Sequence, residues 1–243
     1  MTIFIDSANL QDIEDALKRG FIRGITTNPS LLAKEPKARF DEHIGKIIEL
    51  IQKYQPDISL SVEVFSREPK EILHQAKHFV QTFRYPALAI KVQVGWDELK
   101  IIKELAAEGV RVNCTCAMSI PQAMMAAASG AHYVSLFWGR IRDGGTAKYD
   151  AERKTAIQEG RLEQEDFDPT YVVRETRKIF DLAYPNAEII AGSMRSVTDV
   201  TNAARAGAHI VTVPPKFFKP MTEHFKTDEV VSQFLSDFAL WMQ

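Results

Sequence analysis

One lysine interrupts an apolar run of strand length, Ala87-Leu-Ala-Ile-Lys91-Val-Gln-Val94. Strand alternation puts Ala87, Ala89, Lys91 and Gln93 on one face and Leu88, Ile90, Val92 and Val94 on the other. A lysine leaning into the protein among such small neighbours is desolvated, which disfavours its ammonium form. A neutral amine adds to carbonyls, so Lys91 is a candidate Schiff-base nucleophile. Taken alone, the same residue also fits a rim lysine or one half of a structural ion pair.

Other polar residues that close strand-like runs widen the set. They are Asp6, then Thr26, Thr27 and Asn28, then Glu63, Asn113 with Thr115, Phe137 before Arg140, and Ser193 with Arg195. Asp6 and Glu63 fall at inward positions, where either could neighbour Lys91. Two carboxylates, an amine and several amides are costly to bury unless paired, and iminium catalysis needs such a set. The amine adds, one carboxylate moves protons on a water, and the other deprotonates a hydroxyl. Arg140, Ser193 and Arg195 together offer guanidinium forks to an anion such as phosphate.

Cys114 and Cys116 are expected to turn outward, because Asn113 and Thr115 share the inward face. No second cysteine pair or histidine cluster accompanies them, so they read as inert thiols and no metal is expected. The six histidines are scattered, none at an inward strand end, and no chemistry is assigned to them.

The elements that position these residues follow from periodicity. Strands are expected at residues 2–6, 22–27, 59–64, 87–94, 110–116, 133–137, 188–193 and 209–213. Helices are expected at 9–19, 69–84, 96–108, 121–129, 170–182 and 196–205, and a long one carries Phe40, Ile44, Ile47, Ile48 and Ile51 at helical spacing. Residues 112–139 lack Asp, Glu, Lys and Arg, but the polar and turn residues within them read as strand, helix and strand rather than a membrane span. The rhythm breaks at residues 144–168, a charged, glycine-punctuated insertion without an evident core element. It emerges on the site face, where a solvated excursion is the default and a lid or subunit contact the alternative. An amphipathic helix at 228–243, with Val231, Phe234, Leu235, Phe238 and Trp241 as its stripe, closes the chain.

Eight strands alternating with helices in 243 residues predict a single-domain (β/α)8 TIM barrel with an additional C-terminal helix. A doubly wound open sheet is the other candidate, but the turn Asp6-Ser7-Ala8-Asn9 lacks a dinucleotide fingerprint. The net charge of -2 gives no reason to expect nucleic acid or membrane as partner. Two cysteines and no signal-peptide pattern point to the cytoplasm.

These motifs resemble the transaldolase family, specifically its short-chain branch that also contains the fructose-6-phosphate aldolases. The resemblance spans nearly the whole chain. It rests on Ile5-Asp6-Ser7-Ala8-Asn9, Gly24-Ile-Thr-Thr-Asn28-Pro-Ser30, Ser61-Val-Glu63-Val, Ile90-Lys91-Val, Gly139-Arg140 and Val213-Pro-Pro-Lys216. It implies a class I aldol mechanism in carbohydrate metabolism, within the pentose phosphate pathway, without metal or cofactor. Lys91 then matches the Schiff-base lysine, and Asp6 the base for the hydroxyl at C4. Glu63 with Thr115 matches the holders of the shuttling water. Thr26, Asn28, Asn113 and Ser193 match groups on the dihydroxyacetone unit, and Arg140 and Arg195 the phosphate clamp. Sugar phosphates are the implied substrates, and a homo-oligomer the implied assembly, since relatives form rings of ten.

Fructose-6-phosphate aldolases carry glutamine where this chain has Glu63 and tyrosine where it has Phe137, so the resemblance favours transaldolase. An aldolase releasing dihydroxyacetone, an enzyme for a related ketose with another anionic tail, and a sugar-phosphate-binding barrel without chemistry are the competing functions. Gln93, Gly95-Trp96, Leu136, Trp138 and Met194 depart from the family pattern, and they are expected to line or border the mouth.

Overall fold

The computed structural model describes residues 1–242; of the expected C-terminal helix, Gln243 lies outside the described residues. The chain runs β1 (Thr2–Asp6), α1 (Leu10–Arg19), β2 (Gly24–Thr26), α2 (Pro29–Leu32), α3 (Phe40–Tyr54), β3 (Ser59–Glu63), α4 (Pro69–Phe83) and β4 (Leu88–Gln93). It continues through α5 (Glu98–Ala107), β5 (Arg111–Ala117), α6 (Ile120–Ala128), β6 (Tyr133–Phe137), α7 (Trp138–Gly144) and α8 (Asp150–Gln158). The last elements are α9 (Pro169–Ala183), β7 (Glu188–Gly192), α10 (Val197–Arg205), β8 (Ile210–Val213) and α11 (Phe225–Trp241). The eight strands close into one barrel in sequence order, each parallel to its neighbours. This is the (β/α)8 barrel that the alternation predicts.

Local chemistry explains the boundaries that matter for the mouth. The Asn9 side chain caps α1 by accepting from the backbone N–H groups of Gln11 and Asp12. Asn28 does the same for α2 through Leu31 N–H, and Pro29 follows it at the first helical position, where its missing N–H costs nothing. The Asn-Pro-Ser motif is therefore also a helix start, a role that fixes Asn28 at the carboxyl end of β2.

Inward and outward faces separate along the strands, apart from the end of β5. Ile5, Ile25, Leu60, Val62, Ile90, Val92, Val112, Val134, Ile189 and Val211 are buried between strands and helices. Burying each such side chain contributes about 1.5–3 kcal/mol. Inside the barrel, Phe4, Ala89, Tyr133, Ile190 and Ile210 form a separate apolar plug, with Phe4 edge-on to Tyr133 at 6.3 Å. A polar layer lies above it, where Asn113 donates to Ser61 Oγ at 3.2 Å and accepts from Ser135 at 2.7 Å.

Two expectations change. Residues 144–168 include α8 and two short 3₁₀ turns, and they pack on the barrel. Ala156 is buried, and the Phe167 ring lies so close to Gly144 that a Cβ there would meet it at 3.1 Å. The apolar residues that hold this segment are few and far apart, so no window of the sequence shows a stripe. The C-terminal helix starts at Phe225, earlier than expected, and none of its residues is buried. Its apolar side chains, including Phe234, Leu235 and Trp241, are exposed. Among the described residues, no helix is long and apolar enough to cross a membrane.

The plug makes Gly24 specific. A Cβ at that position would stand 2.5 Å from two carbons of the Phe4 ring. Gly24→Ala should lower the free energy of unfolding by about 1–3 kcal/mol in a urea melt. An unchanged midpoint would mean that the Phe4 ring moves aside freely.

Candidate active site

Polar strand ends converge on a cavity of about 370 Å³ at the carboxyl end of the barrel. Asp6, Thr26, Asn28, Glu63, Lys91, Phe137, Arg140 and Ser193 line it, so eight of the eleven residues singled out through the family resemblance meet there. The other three stand apart: Asn113 lies in the polar layer beneath, Thr115 is buried beside it, and the Arg195 side chain is turned away.

Lys91 is buried, and register places it directly beside Glu63 on β3 and Asn113 on β5. Its Nζ donates to Thr27 O at 2.8 Å and meets Glu63 Oε2 at 2.9 Å. The amine is thus aimed across the mouth with a carboxylate in proton-transfer range. Asp6 accepts from Thr26 Oγ1 at 2.8 Å, and that hydroxyl lies 2.6 Å from Thr212 Oγ1. Burial pushes the Asp6 carboxyl above its ordinary value, against the pull of Lys91 and the Thr26 hydrogen bond. Thr115 Oγ1 is buried with no hydrogen-bond partner among the described residues.

Strand β5 departs from simple alternation. Cys116 adopts φ 63°, and the pairing of β5 with β6 shifts between Cys114 and Ala117. This bulge corrects the expectation that both cysteines face the helices: Cys114 does, whereas Cys116 lines the cavity. Burial, and after it the charge of Glu63, pushes the Cys116 thiol up, so it stays protonated.

The arginine side of the mouth depends on α7 and the turn after β7. Ser193 has φ 60°, and its carbonyl accepts from Gly139 N–H at 3.2 Å. A Cβ on Gly139 would meet that carbonyl oxygen at 2.5 Å, which is why glycine precedes Arg140. Two Arg–Asp forks then cross between these segments. Arg142 donates to both oxygens of buried Asp199, at 2.8 and 3.2 Å, while Trp138 Nε1 and the Arg195 backbone N–H add to the same carboxylate. In the opposite direction, the Arg195 guanidinium grips Asp143. Arg195 therefore does not line the cavity, unlike Arg140.

None of the departures from the family pattern lines the cavity. Trp138, at the start of α7, and Met194, in the turn after β7, are buried, and Leu136 packs in the core between strands and helices. Gln93 donates to Ser66 O and Glu98, and Trp96 is exposed outside the cavity. Conversely, Ser135 and Thr212 line it and were not singled out, although alternation within Tyr133–Phe137 and Ile210–Val213 already turns both inward. Size alone would not have found the site. Hollows of about 670 Å³ beside α1 and about 540 Å³ at the amino ends of β4 to β6 are larger, but neither combines an amine with carboxylates inside the barrel.

The sequence model described as transaldolase/fructose-6-phosphate aldolase matches residues 3–242. A probable transaldolase of Symbiobacterium thermophilum is 36% identical over 237 residues, covering 98% of this chain and 96% of that protein. Probable transaldolases of Alkaliphilus metalliredigens and Listeria monocytogenes are 36% and 35% identical, each covering 98% of this chain and 97% of the relative.

The Asp199 fork gives the mouth a pH-dependent strut. Burial alone would raise the Asp199 carboxyl, but Arg142, the Arg195 N–H and Trp138 outweigh it and hold the group below its ordinary value. A carboxyl lowered in this way stabilises the fold when ionised and stops doing so as pH falls through its folded pKa. Asp199→Asn should cost about 1–3 kcal/mol at neutral pH. The gap between the two melting curves should hold above about pH 4 and shrink below it. A gap that widens in acid would contradict this account.

Proposed function

The chain belongs to the transaldolase/fructose-6-phosphate aldolase family and is an enzyme of transaldolase type, and we propose that its chemistry runs through a Schiff base on Lys91. The observation that carries this reading is the buried Lys91 amine, 2.9 Å from Glu63 at the floor of a polar cavity that also contains Asp6. The donor is a ketose phosphate such as fructose 6-phosphate or sedoheptulose 7-phosphate.

Lys91 Nζ adds to the ketone carbon, and Glu63 moves the protons that let the carbinolamine oxygen leave as water. The buried, unpartnered Thr115 hydroxyl beside β4 suits a role in holding that water. Asp6 then takes the proton from the C4 hydroxyl as the C3–C4 bond breaks. The bonding pair flows into the iminium, leaving an enamine of dihydroxyacetone and releasing an aldose phosphate. The enamine attacks an acceptor aldehyde, Asp6 returns the proton to the new hydroxyl, and hydrolysis frees Lys91. Thr26, Asn28, Asn113 and Ser193 hold the three-carbon unit, with Asn113 acting from the layer below. Phe137 keeps one corner of the cavity apolar, which favours transfer of the enamine over its protonation and release. Arg140 and Arg195 take the phosphate, Arg195 after releasing Asp143.

We also read the chain as one cytoplasmic domain that assembles with copies of itself, a ring of ten included. The uncovered apolar face of α11 supports assembly, because a stripe of that size is rarely left in water. Light scattering should report an oligomer that dissociates when Phe234 and Leu235 are changed to serine. A wild-type monomer at micromolar concentration would overturn this part.

Borohydride added with fructose 6-phosphate should fix a mass adduct on the peptide bearing Lys91, and Lys91→Ala should abolish turnover. Erythrose 4-phosphate added first should deplete the adduct by accepting the transferred unit. Steady cleavage of fructose 6-phosphate without acceptor would instead indicate an aldolase, and substrate binding without any adduct a binding barrel. Because Asp6 must be ionised to act as base, the acid limb of kcat should lie above the ordinary carboxyl value of 3.8. Thr26→Val removes a hydrogen bond that lowers this pKa, so the limb should move to higher pH. A limb that stays in place would separate it from Asp6.

A further inference from the structure

Two guanidinium groups and one carboxylate meet where β6 and β7 end. Arg195 lays Nη1 on Asp143 Oδ1 at 2.5 Å and Nη2 on Oδ2. Arg140 Nη1 stands 4.0 Å from the same Oδ2. A carboxylate gripped by one guanidinium fork and faced by a second occupies the kind of place that two arginines offer a phosphate.

The neighbouring fork shows what this one is not. Asp199 is 4% exposed and takes four donors, so it anchors α7 to the turn after β7. The Asp143 side chain is 29% exposed, and the arginines are 42% and 65% exposed, so this contact can open without unfolding anything. With Asp199 still in place, the backbone that carries Arg140 and Arg195 keeps its position when Asp143 lets go.

We propose that Asp143 is a specificity-determining residue that competes with the anionic tail of the substrate for Arg195 and Arg140, and so sets the affinity of that site. The inference rests on the assignment of both arginines to the tail. Each phosphorylated donor or product must displace an internal anion to bind, and the same anion returns as it leaves. A phosphate monoester carries nearly two negative charges at neutral pH against the single charge of Asp143, so the exchange favours the ligand. Affinity is nonetheless lower than two free arginines would give. A ketose without a phosphate engages neither arginine and does not meet this competition.

The test uses Asp143→Asn, which keeps the shape and removes the charge, together with Asp143→Glu and Arg195→Ala. Inorganic phosphate binding is measured by calorimetry, and KM and kcat with fructose 6-phosphate and with fructose as donors. Asp143→Asn should tighten phosphate about three- to tenfold and lower KM for fructose 6-phosphate by a similar factor. KM for fructose should stay unchanged, and Asp143→Glu should behave as wild type. Weaker phosphate binding in Asp143→Asn, or no change, would overturn the role of Asp143. Arg195→Ala separates the two ways to fail. If it weakens phosphate while Asp143→Asn does not tighten it, the competition falls and the tail assignment survives. If it leaves phosphate binding untouched, the assignment falls and the competition with it.

Discussion

An amine removed from water must be given acceptors, and the barrel supplies two to Lys91 within 2.9 Å. One is the Thr27 carbonyl, freed from the sheet ladder because β2 ends at Thr26. The other is Glu63, which register sets opposite Lys91 on the adjacent strand. Loss of either would leave a buried group unpaired, so the shortness of β2 and the register of β3 against β4 are constraints on the site as much as on the sheet. The layers beneath follow from the same need. A buried plug of Phe4, Ala89, Tyr133, Ile190 and Ile210 closes the barrel from below, and the Ser61, Asn113 and Ser135 hydroxyls and amide satisfy one another above it. Lys91, Glu63 and Asp6 therefore stand above an apolar floor that fills the barrel toward its amino end.

What the sequence made legible was whatever depends on period two. Lys91, Asp6, Glu63, Thr26 and Asn28 were found by alternation and by a cap-and-proline turn, and they line one cavity. The barrel itself followed from strand and helix spacing alone, because each strand needs only an apolar outward face and a short connection. Alternation fails where the backbone breaks it. Cys116 sits at positive φ in a bulge, and a single left-handed residue reverses the direction of its side chain. Nothing in Thr115-Cys116-Ala117 announces that conformation, since cysteine has no preference for it.

The arginine side was legible in type and not in pairing. By residue type Arg140 and Arg195 are candidates for an anion, but the sequence does not say that Asp143 holds one of them or that Asp199 and Arg142 brace the turn. Partners separated by 52 and 57 positions are brought together by the parallel pairing of β6 with β7, and no local period encodes them. The same holds for residues 144–168, whose few apolar anchors act against α7 rather than along their own helix.

Strain gathers where these two halves of the site meet. Of four non-glycine residues with positive φ among those described, Cys116 and Ser193 both line the cavity, one at the end of β5 and one just past β7. Such conformations cost about 1–3 kcal/mol each and persist only where surrounding contacts hold them. For Ser193 the holding contacts can be named: its carbonyl accepts from Gly139, and the next residues are fixed by Arg195 N–H on Asp199. The strained turn brings the Ser193 side chain to the wall of the cavity while its carbonyl secures the start of α7, which carries Arg140. The Asp199 strut thus sustains both the backbone strain that brings Ser193 to the cavity wall and the scaffold that carries Arg140. Asp143 stands outside that strut, in a solvent-exposed contact with Arg195 that bridges the same two segments.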